Sequence, residues 1–301
     1  MGTERMRLQS PLDFEEFLWA NNIPDAAIDL LKQSLETEQP VPQPLHGRME
    51  ELFLQYAVVG GMPAVVETFL RTHNISMVVQ QQRDLLNAYR ADMTKYATGA
   101  DKTRIKECFD SIPRQLSKDN KKFQYSVVRK GARSTQYIGA LQWIEDAGLI
   151  HRCRNVSITE LPLEGLSMDD TFKVYVADTG LFMGMLENGT AADVLSGNLN
   201  GYKGAIFENL GADILTKMGR DIYYFQKSSG LEVDFLIRYK GKCVPLEVKA
   251  TTGNDKRTKT ILKHPEKYHI ESAIKAGAYN VGRSNNILTL PFYMLFLLTD
   301  Y

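Results

Sequence analysis

The chain has 301 residues and no net formal charge, with 36 Lys and Arg against 36 Asp and Glu. At roughly 150 residues per domain, that length suits two or three domains. Hydrophobic residues at 44% and charged residues at 24% are globular usage and exclude a disordered chain. Cys108, Cys153 and Cys243 lie too far apart for a CxxC metal site or a disulfide framework, so a reducing, cytoplasmic setting is expected.

No apolar run approaches the ~18 residues of a spanning helix, and Met1-Gly2-Thr3-Glu4-Arg5 is not followed by the apolar core of a signal peptide. No membrane association is therefore expected. The neutral total hides a gradient. Residues 1–74 carry 5 basic against 11 acidic side chains, residues 75–100 carry 3 against 2, residues 101–154 carry 12 against 6, and residues 155–301 carry 16 against 17. An acidic head and a basic middle keep a polyanionic partner open.

In chain order, Phe14, Phe17, Leu18 and then Ile28, Leu31 and Leu35 recur at helical spacing, with a turn at Asn21-Asn22-Ile23-Pro24-Asp25. A Pro-rich linker at 40–44 precedes helices predicted over 45–58, 63–72 and 75–96, the first two separated by Gly60-Gly61-Met62-Pro63. A helix over 103–116, a short segment at 123–126 and a helix over 133–147 capped by Gly148 follow. Strands are predicted at 149–153 and 172–176. Helix, helix and strand pair in this order read as a winged helix-turn-helix. From residue 201 the pattern becomes α/β. A helix is predicted over 205–218, strands over 221–226, 232–239 and 243–249, a helix over 255–268 interrupted by Pro265, and strands over 276–281 and 287–296. The fold class is α+β, with a helical lid-like region over 1–100, a winged helix over 101–198 and a restriction-endonuclease-like α/β domain over 199–301.

The sharpest chemical signal is Pro245-Leu246-Glu247-Val248-Lys249 beside Leu231-Glu232-Val233-Asp234-Phe235. Side chains alternate along a strand, so Glu247 and Lys249 share one face, and Asp234 interrupts an apolar run on the adjacent strand. Asp234 and Glu247 supply the oxygen ligands that Mg²⁺ or Mn²⁺ takes alongside water and phosphate. Lys249 would orient the attacking water or neutralise charge on a phosphate. Glu208, in Phe207-Glu208-Asn209 on the preceding helix, would support the metal or its water. The competing reading is a solvated Glu-x-Lys pair of little energetic weight and a buried Asp that accepts backbone hydrogen bonds.

The order of helix with Glu208, strand, strand with Asp234 and strand with Glu247-Val248-Lys249 resembles the PD-(D/E)xK nuclease core. In that core Asp234 corresponds to the motif's Asp and Glu247-Val248-Lys249 to its ExK. Further landmarks are Pro11-Leu12-Asp13-Phe14-Glu15-Glu16-Phe17-Leu18, Val59-Gly60-Gly61-Met62-Pro63, Asp92-Met93-Thr94-Lys95-Tyr96 and Lys130-Gly131-Ala132-Arg133. Trp143-Ile144-Glu145-Asp146-Ala147-Gly148-Leu149-Ile150 and Asp178-Thr179-Gly180-Leu181 complete the series. Together they resemble the prokaryotic AAA-family ATPases that end in a PD-(D/E)xK-like domain of unknown function. The sequence departs from that family in having no GxxxxGK[ST] phosphate cradle. It is therefore expected to start after the family's nucleotide-binding core, with no ATP site and no ATPase activity of its own.

In the basic segment, Lys121, Lys122, Arg129, Lys130 and Arg133 surround the expected helix-turn-helix and would neutralise DNA phosphates. Winged helices also serve as protein-packing modules, and that alternative stands. The leading expectation is a nucleic-acid-associated protein, the C-terminal portion of an AAA-type ATPase, with a candidate Mg²⁺- or Mn²⁺-dependent DNA nuclease-like domain. The other is a non-catalytic DNA- or protein-binding module that acts with a protein partner, by self-association or with a separate ATPase core.

Overall fold

The computed structural model describes residues 10–96, 100–198, 202–249 and 256–299. Among them the chain opens with helices α1 (Phe14–Ala20), α2 (Asp25–Thr37), α3 (Gln43–Val59), α4 (Pro63–Thr72), α5 (Ile75–Tyr96) and α6 (Ala100–Leu116). Local chemistry marks their ends. The Asp13 carboxylate accepts the Glu16 amide at 2.8 Å while the Glu16 carboxylate accepts the Asp13 amide at 2.9 Å, a reciprocal cap on α1. Pro63 opens α4 after the break at Gly60 and Gly61.

Next come α7 (Tyr125–Val128), α8 (Ser134–Asp146) and the hairpin β1 (Ile150–Val156) and β2 (Ser167–Val176). Two short helices, α9 (Thr179–Gly184) and α10 (Thr190–Ser196), fill a stretch for which the apolar pattern gave no expectation. The α/β portion contains α11 (Lys203–Lys217), β3 (Tyr223–Gln226), β4 (Glu232–Tyr239), β5 (Lys242–Val248), α12 (Lys256–Leu262), α13 (Pro265–Tyr268), β6 (Ala273–Gly277), β7 (Gly282–Ser284) and β8 (Ile287–Pro291). A 3-10 segment, Phe292–Leu297, closes it. Asp255, the first residue of the helix expected over 255–268, lies outside the described residues, as do residues 199–201 at the expected domain boundary. Pro265 does divide that helix, separating α12 from α13.

All the strands join one mixed sheet in the order β2-β1-β3-β4-β5-β6-β8-β7. The hairpin at residues 150–176 is thereby stitched to the α/β portion. β1 lies parallel to β3 through Arg154↔Tyr223 and Asn155↔Tyr224. Asn155 reinforces the seam, its Oδ1 accepting the Gln226 amide at 2.8 Å and its Nδ2 donating to the Gln226 carbonyl at 3.3 Å.

Two expected strands are shifted. The one placed at 276–281 runs instead over Ala273–Gly277, where every residue is buried and paired in parallel with β8, the middle three also with β5. The one placed at 287–296 ends at Pro291, and the next six residues wind into the buried 3-10 segment. Proline has no amide to extend the ladder.

α11 lies between the N-terminal helices and the sheet, and residues 205–215 are all buried. A Cβ on Gly211 would sit 3.2 Å from side-chain atoms of Phe235 and of Val248. On its other side, the Phe207 and Phe292 rings are 5.5 Å apart, and Phe53 is 5.0 Å from Phe292. Cys108, Cys153 and Cys243 are free and buried, and burial pushes the thiols of Cys108 and Cys243 up to about 12. No helix among the described residues is long and apolar enough to cross a membrane.

Candidate active site

The site forms where β4 and β5 part. Their antiparallel ladder includes Phe235↔Leu246. One residue further on, Asp234 takes over from the backbone, and its Oδ2 accepts the amide of Val248 at 2.9 Å. Burial of Asp234 is therefore matched by a specific donor, as the competing sequence reading required. Glu247 and Lys249 share a side as alternation demands, with Lys249 Nζ 2.7 Å from Glu247 Oε2 and 3.8 Å from Asp234 Oδ2. Asp234, Glu247 and Lys249 are thus brought together. Lys275 of β6 stands opposite Glu247 in the parallel register, with its ammonium 4.6 Å from the Tyr279 ring centroid.

Glu208 reaches the same region from α11, but its oxygens are engaged. Lys173 Nζ donates to Oε1 at 2.9 Å, the Tyr175 hydroxyl donates to the same oxygen, and Lys121 pairs with Oε2. Lys173 is 1% exposed and also bridges to Glu232 Oε1 at 2.6 Å, with its ammonium 4.8 Å from the Tyr224 ring centroid. Burial opposes every charge here, and the pairings decide which survive. Against burial, Lys173 and Lys121 draw the Glu208 carboxyl down to about 2. Burial, reinforced by the negative Glu208, pushes the Asp234 carboxyl up to about 6 despite Lys249. Burial also works against the Lys249 ammonium, but Asp234 and Glu247 raise its pKa above the ordinary lysine value.

The donor set can be tested for a cation without reference to any bound ion. Glu247 Oε1 is buried and has no hydrogen-bond partner among the described residues, an expensive state for a carboxylate oxygen unless something positive completes it. Beside it, Asp234 supplies a second hard oxygen donor. Two carboxylates with water and phosphate match the habit of Mg²⁺ and Mn²⁺. Among the described residues no group of three or more His, Cys, Asp or Glu side chains is arranged to hold a metal ion. A cation here would rest on Asp234 and Glu247, because the oxygens of Glu208 are already engaged by Lys173, Tyr175 and Lys121.

The basic residues divide. Lys121 is spent on Glu208, and Lys122 Nζ donates to Thr171 Oγ1 at 3.2 Å. Arg129, Lys130 and Arg133 are exposed between α7 and the start of α8, with Arg129 3.8 Å from Glu107. Sequence reasoning missed Lys173, Tyr175 and Glu232. A signal existed, because Lys173 and Tyr175 alternate with apolar residues in Phe172-Lys173-Val174-Tyr175-Val176 and so share a face. Glu232 shares one with Asp234 by the same rule.

The fold and the site together define an α+β protein with a carboxylate-lysine cluster at the parting of two central strands. Residues 50–192 match the model of a domain of unknown function, DUF8612. Residues 203–294 match that of a second domain of unknown function, DUF4143, which is found in C-terminal regions associated with AAA ATPases. No curated protein and no solved structure matches the chain.

Proposed function

We propose that the chain is a nucleic-acid-associated protein, the C-terminal portion of an AAA-type architecture, whose α/β region is a Mg²⁺- or Mn²⁺-dependent nuclease-like module. The observation that carries this reading is the buried Oε1 of Glu247, unpartnered among the described residues, on a side chain grouped with Asp234 and Lys249. The element order α11-β3-β4-β5-α12-β6, with antiparallel pairing to β5 and parallel pairing to β6, supports a restriction-endonuclease-like core. The order α7-α8-β1-β2 supports a winged helix.

Asp234 and Glu247 would hold the cation, which supplies Lewis-acid polarisation of a phosphate and a more acidic bound water. The protein's own contribution is positional. Asp234 is fixed by the Val248 amide and Glu247 by the Lys249 ammonium, so neither carboxylate has to reorganise. Lys249, a quarter exposed at its side chain, presents its remaining donors to a phosphate oxygen or to the attacking water. Glu208 keeps a fixed negative charge behind Asp234 and is itself held by Lys173, Tyr175 and Lys121.

Incubation of plasmid and single-stranded DNA with the chain in Mg²⁺ or Mn²⁺ tests this reading. Cleavage is expected from the wild type and a loss of at least about 100-fold from Glu247→Ala or Lys249→Ala. Equal activity in all three preparations would refute the enzymatic reading. If Arg129, Lys130 and Arg133 contact phosphates, single-strand affinity should fall with salt at a log–log slope of about −2.

A specific observation favours a second, non-catalytic reading. Glu208 is neutralised by Lys173 and Lys121, which leaves Asp234 and Glu247 as the carboxylates for a metal. A binding or assembly module would show no cation-dependent thermal shift and little destabilisation on Lys249→Met.

A further inference from the structure

Beside Lys249 lies a cavity of about 230 Å³ whose chemistry differs from that of the carboxylate cluster. Its walls include the rings of Phe53, Phe207, Phe292 and Tyr293 beside Leu54 and Val194, and its lysines are Lys203 and Lys249. The rings are held in place before any ligand arrives. Phe292 packs against both Phe53 and Phe207, and the Tyr293 hydroxyl is 2.8 Å from His46 Nδ1. Glu50, which also lines the cavity, is 3.4 Å from His46 Nε2. Lys203, half-buried at the start of α11, has no hydrogen-bond or ion-pair partner among the described residues.

We infer that this cavity is a nucleobase subsite, taking the base of a nucleotide whose phosphate is held between Lys203 and Lys249. The inference rests on the reading of Asp234, Glu247 and Lys249 as a phosphodiester-handling site, and it names the substrate class of that site. Three features select a base. The volume is below the ~300–1,000 Å³ of pockets for drug-sized ligands, so the occupant is about one ring system in size. Aromatic walls favour a flat π-face or edge over a flexible aliphatic chain. Two lysines line the same cavity as the rings, a charge suited to the phosphate attached to such a ring, and Lys249 also pairs with the carboxylates expected to hold the cation. A base inside a duplex is stacked on both faces and cannot enter. The substrate class is therefore single-stranded nucleic acid, a frayed end or an extruded nucleotide.

The test uses the full chain in EDTA, so that neither cleavage nor a cation contributes. Deoxyadenosine 5′-monophosphate and deoxyribose 5-phosphate are titrated by calorimetry, and a single strand carrying 2-aminopurine is followed by fluorescence. The nucleotide is expected to bind at least about tenfold more tightly than the sugar phosphate, and the 2-aminopurine to be quenched in the single strand but not in a duplex. Ala278 is an exposed residue of the cavity lining, and Ala278→Phe should plug the cavity, weakening nucleotide binding about tenfold with the unfolding midpoint unchanged. Lys203→Ala should weaken it about threefold. Equal binding of nucleotide and sugar phosphate, or no effect of Ala278→Phe, would overturn the inference. So would displacement of the nucleotide by an equimolar tyrosine peptide, which would mark the cavity as a protein-docking pocket. Base binding that persists in a protein unable to cleave with Mg²⁺ or Mn²⁺ would remove only the nuclease reading. Cleavage without base binding would remove only the subsite.

Discussion

At the residue scale, the candidate site is governed by which buried charges have partners. Asp234 and Glu208 are neighbours with opposite fates, one pushed up to about 6 and the other drawn down to about 2, because the lysines from β2 and the α6–α7 connection reach Glu208 first. A cation bound at Asp234 competes with a proton there. Mn²⁺ affinity should therefore hold steady above pH 6 and fall about tenfold per unit below it, as read by the free-ion EPR signal, with Asp234→Asn abolishing the dependence. Identical affinity at pH 5 and pH 8 would refute Asp234 as a ligand. Lys173 gives a second expectation. Lys173→Met leaves Glu208 and Glu232 buried without their shared ammonium and should cost about 3–5 kcal/mol in urea unfolding, with Glu208→Gln recovering part of the loss. Lys173 and Lys121 hold the Glu208 carboxyl ionised well below the ordinary carboxylate range. Its stabilising contribution is complete above the ordinary carboxyl pKa and disappears as the pH falls from there towards about 2. The pairing of Asp234 with Glu247 and Lys249 was legible because strand periodicity is local. The capture of Glu208 was not, since Lys173 lies 35 residues away and Lys121 lies 87 away.

At the element scale, two of the motif landmarks prove to be one structural device. Asp178 caps α9, its Oδ1 accepting the Leu181 amide at 3.0 Å, while its Oδ2 accepts the Gly61 amide at 2.7 Å. The α3–α4 break and the start of α9 are thereby pressed together. A Cβ on Gly180 would lie 2.2 Å from the Val59 carbonyl oxygen, and one on Gly61 would lie 2.0 Å from the Leu12 carbonyl oxygen. Beneath them, Lys217 joins Asp178 at 3.3 Å, Asp213 at 2.8 Å and the Tyr56 hydroxyl at 3.0 Å. Two carboxylates share that one ammonium. Burial, with Asp178 adding to it, pushes Asp213 up to about 6. Because backbone atoms cannot step aside, Gly180→Ala should destabilise by about 3 kcal/mol. The exposed Gly139, whose added Cβ meets nothing within 4 Å, should tolerate the same change. Comparable urea midpoints for the two variants would show that the junction relaxes. The glycines were visible in the sequence as a break, but their partner 117 residues downstream was not. The 3-10 segment had a related ambiguity. Tyr293-Met294-Leu295-Phe296 is an apolar run without alternation, a pattern that specifies burial without specifying strand or helix.

At the scale of the whole molecule, the three regions legible as changes in composition meet in one main hydrophobic core, and the second and third also share one sheet. β1 and β2 form one side of the sheet that carries the carboxylate cluster, and Lys173 of β2 holds Glu208 of α11. Phe14 packs 5.7 Å from Phe296, Phe53 packs 5.0 Å from Phe292, and Tyr175 packs 5.9 Å from Phe235. Each pair joins residues read from the sequence as belonging to different regions. Hydrophobic surface buried across such contacts couples the stability of the regions it joins, so the chain should unfold as one unit. Its two tryptophans, Trp19 and Trp143, both lie outside the α/β portion. Their fluorescence reports on the helical regions, while far-UV circular dichroism also sees the sheet. The two signals should share one urea midpoint. Phe53→Ala, which should lose about 3–5 kcal/mol, should shift both together. An earlier fluorescence transition, or a shift confined to it, would mean that the N-terminal helices rest on the sheet without belonging to its cooperative unit. The aromatic cavity between α3, α11 and the 3-10 segment would then lack the rigid wall that a preformed base subsite requires.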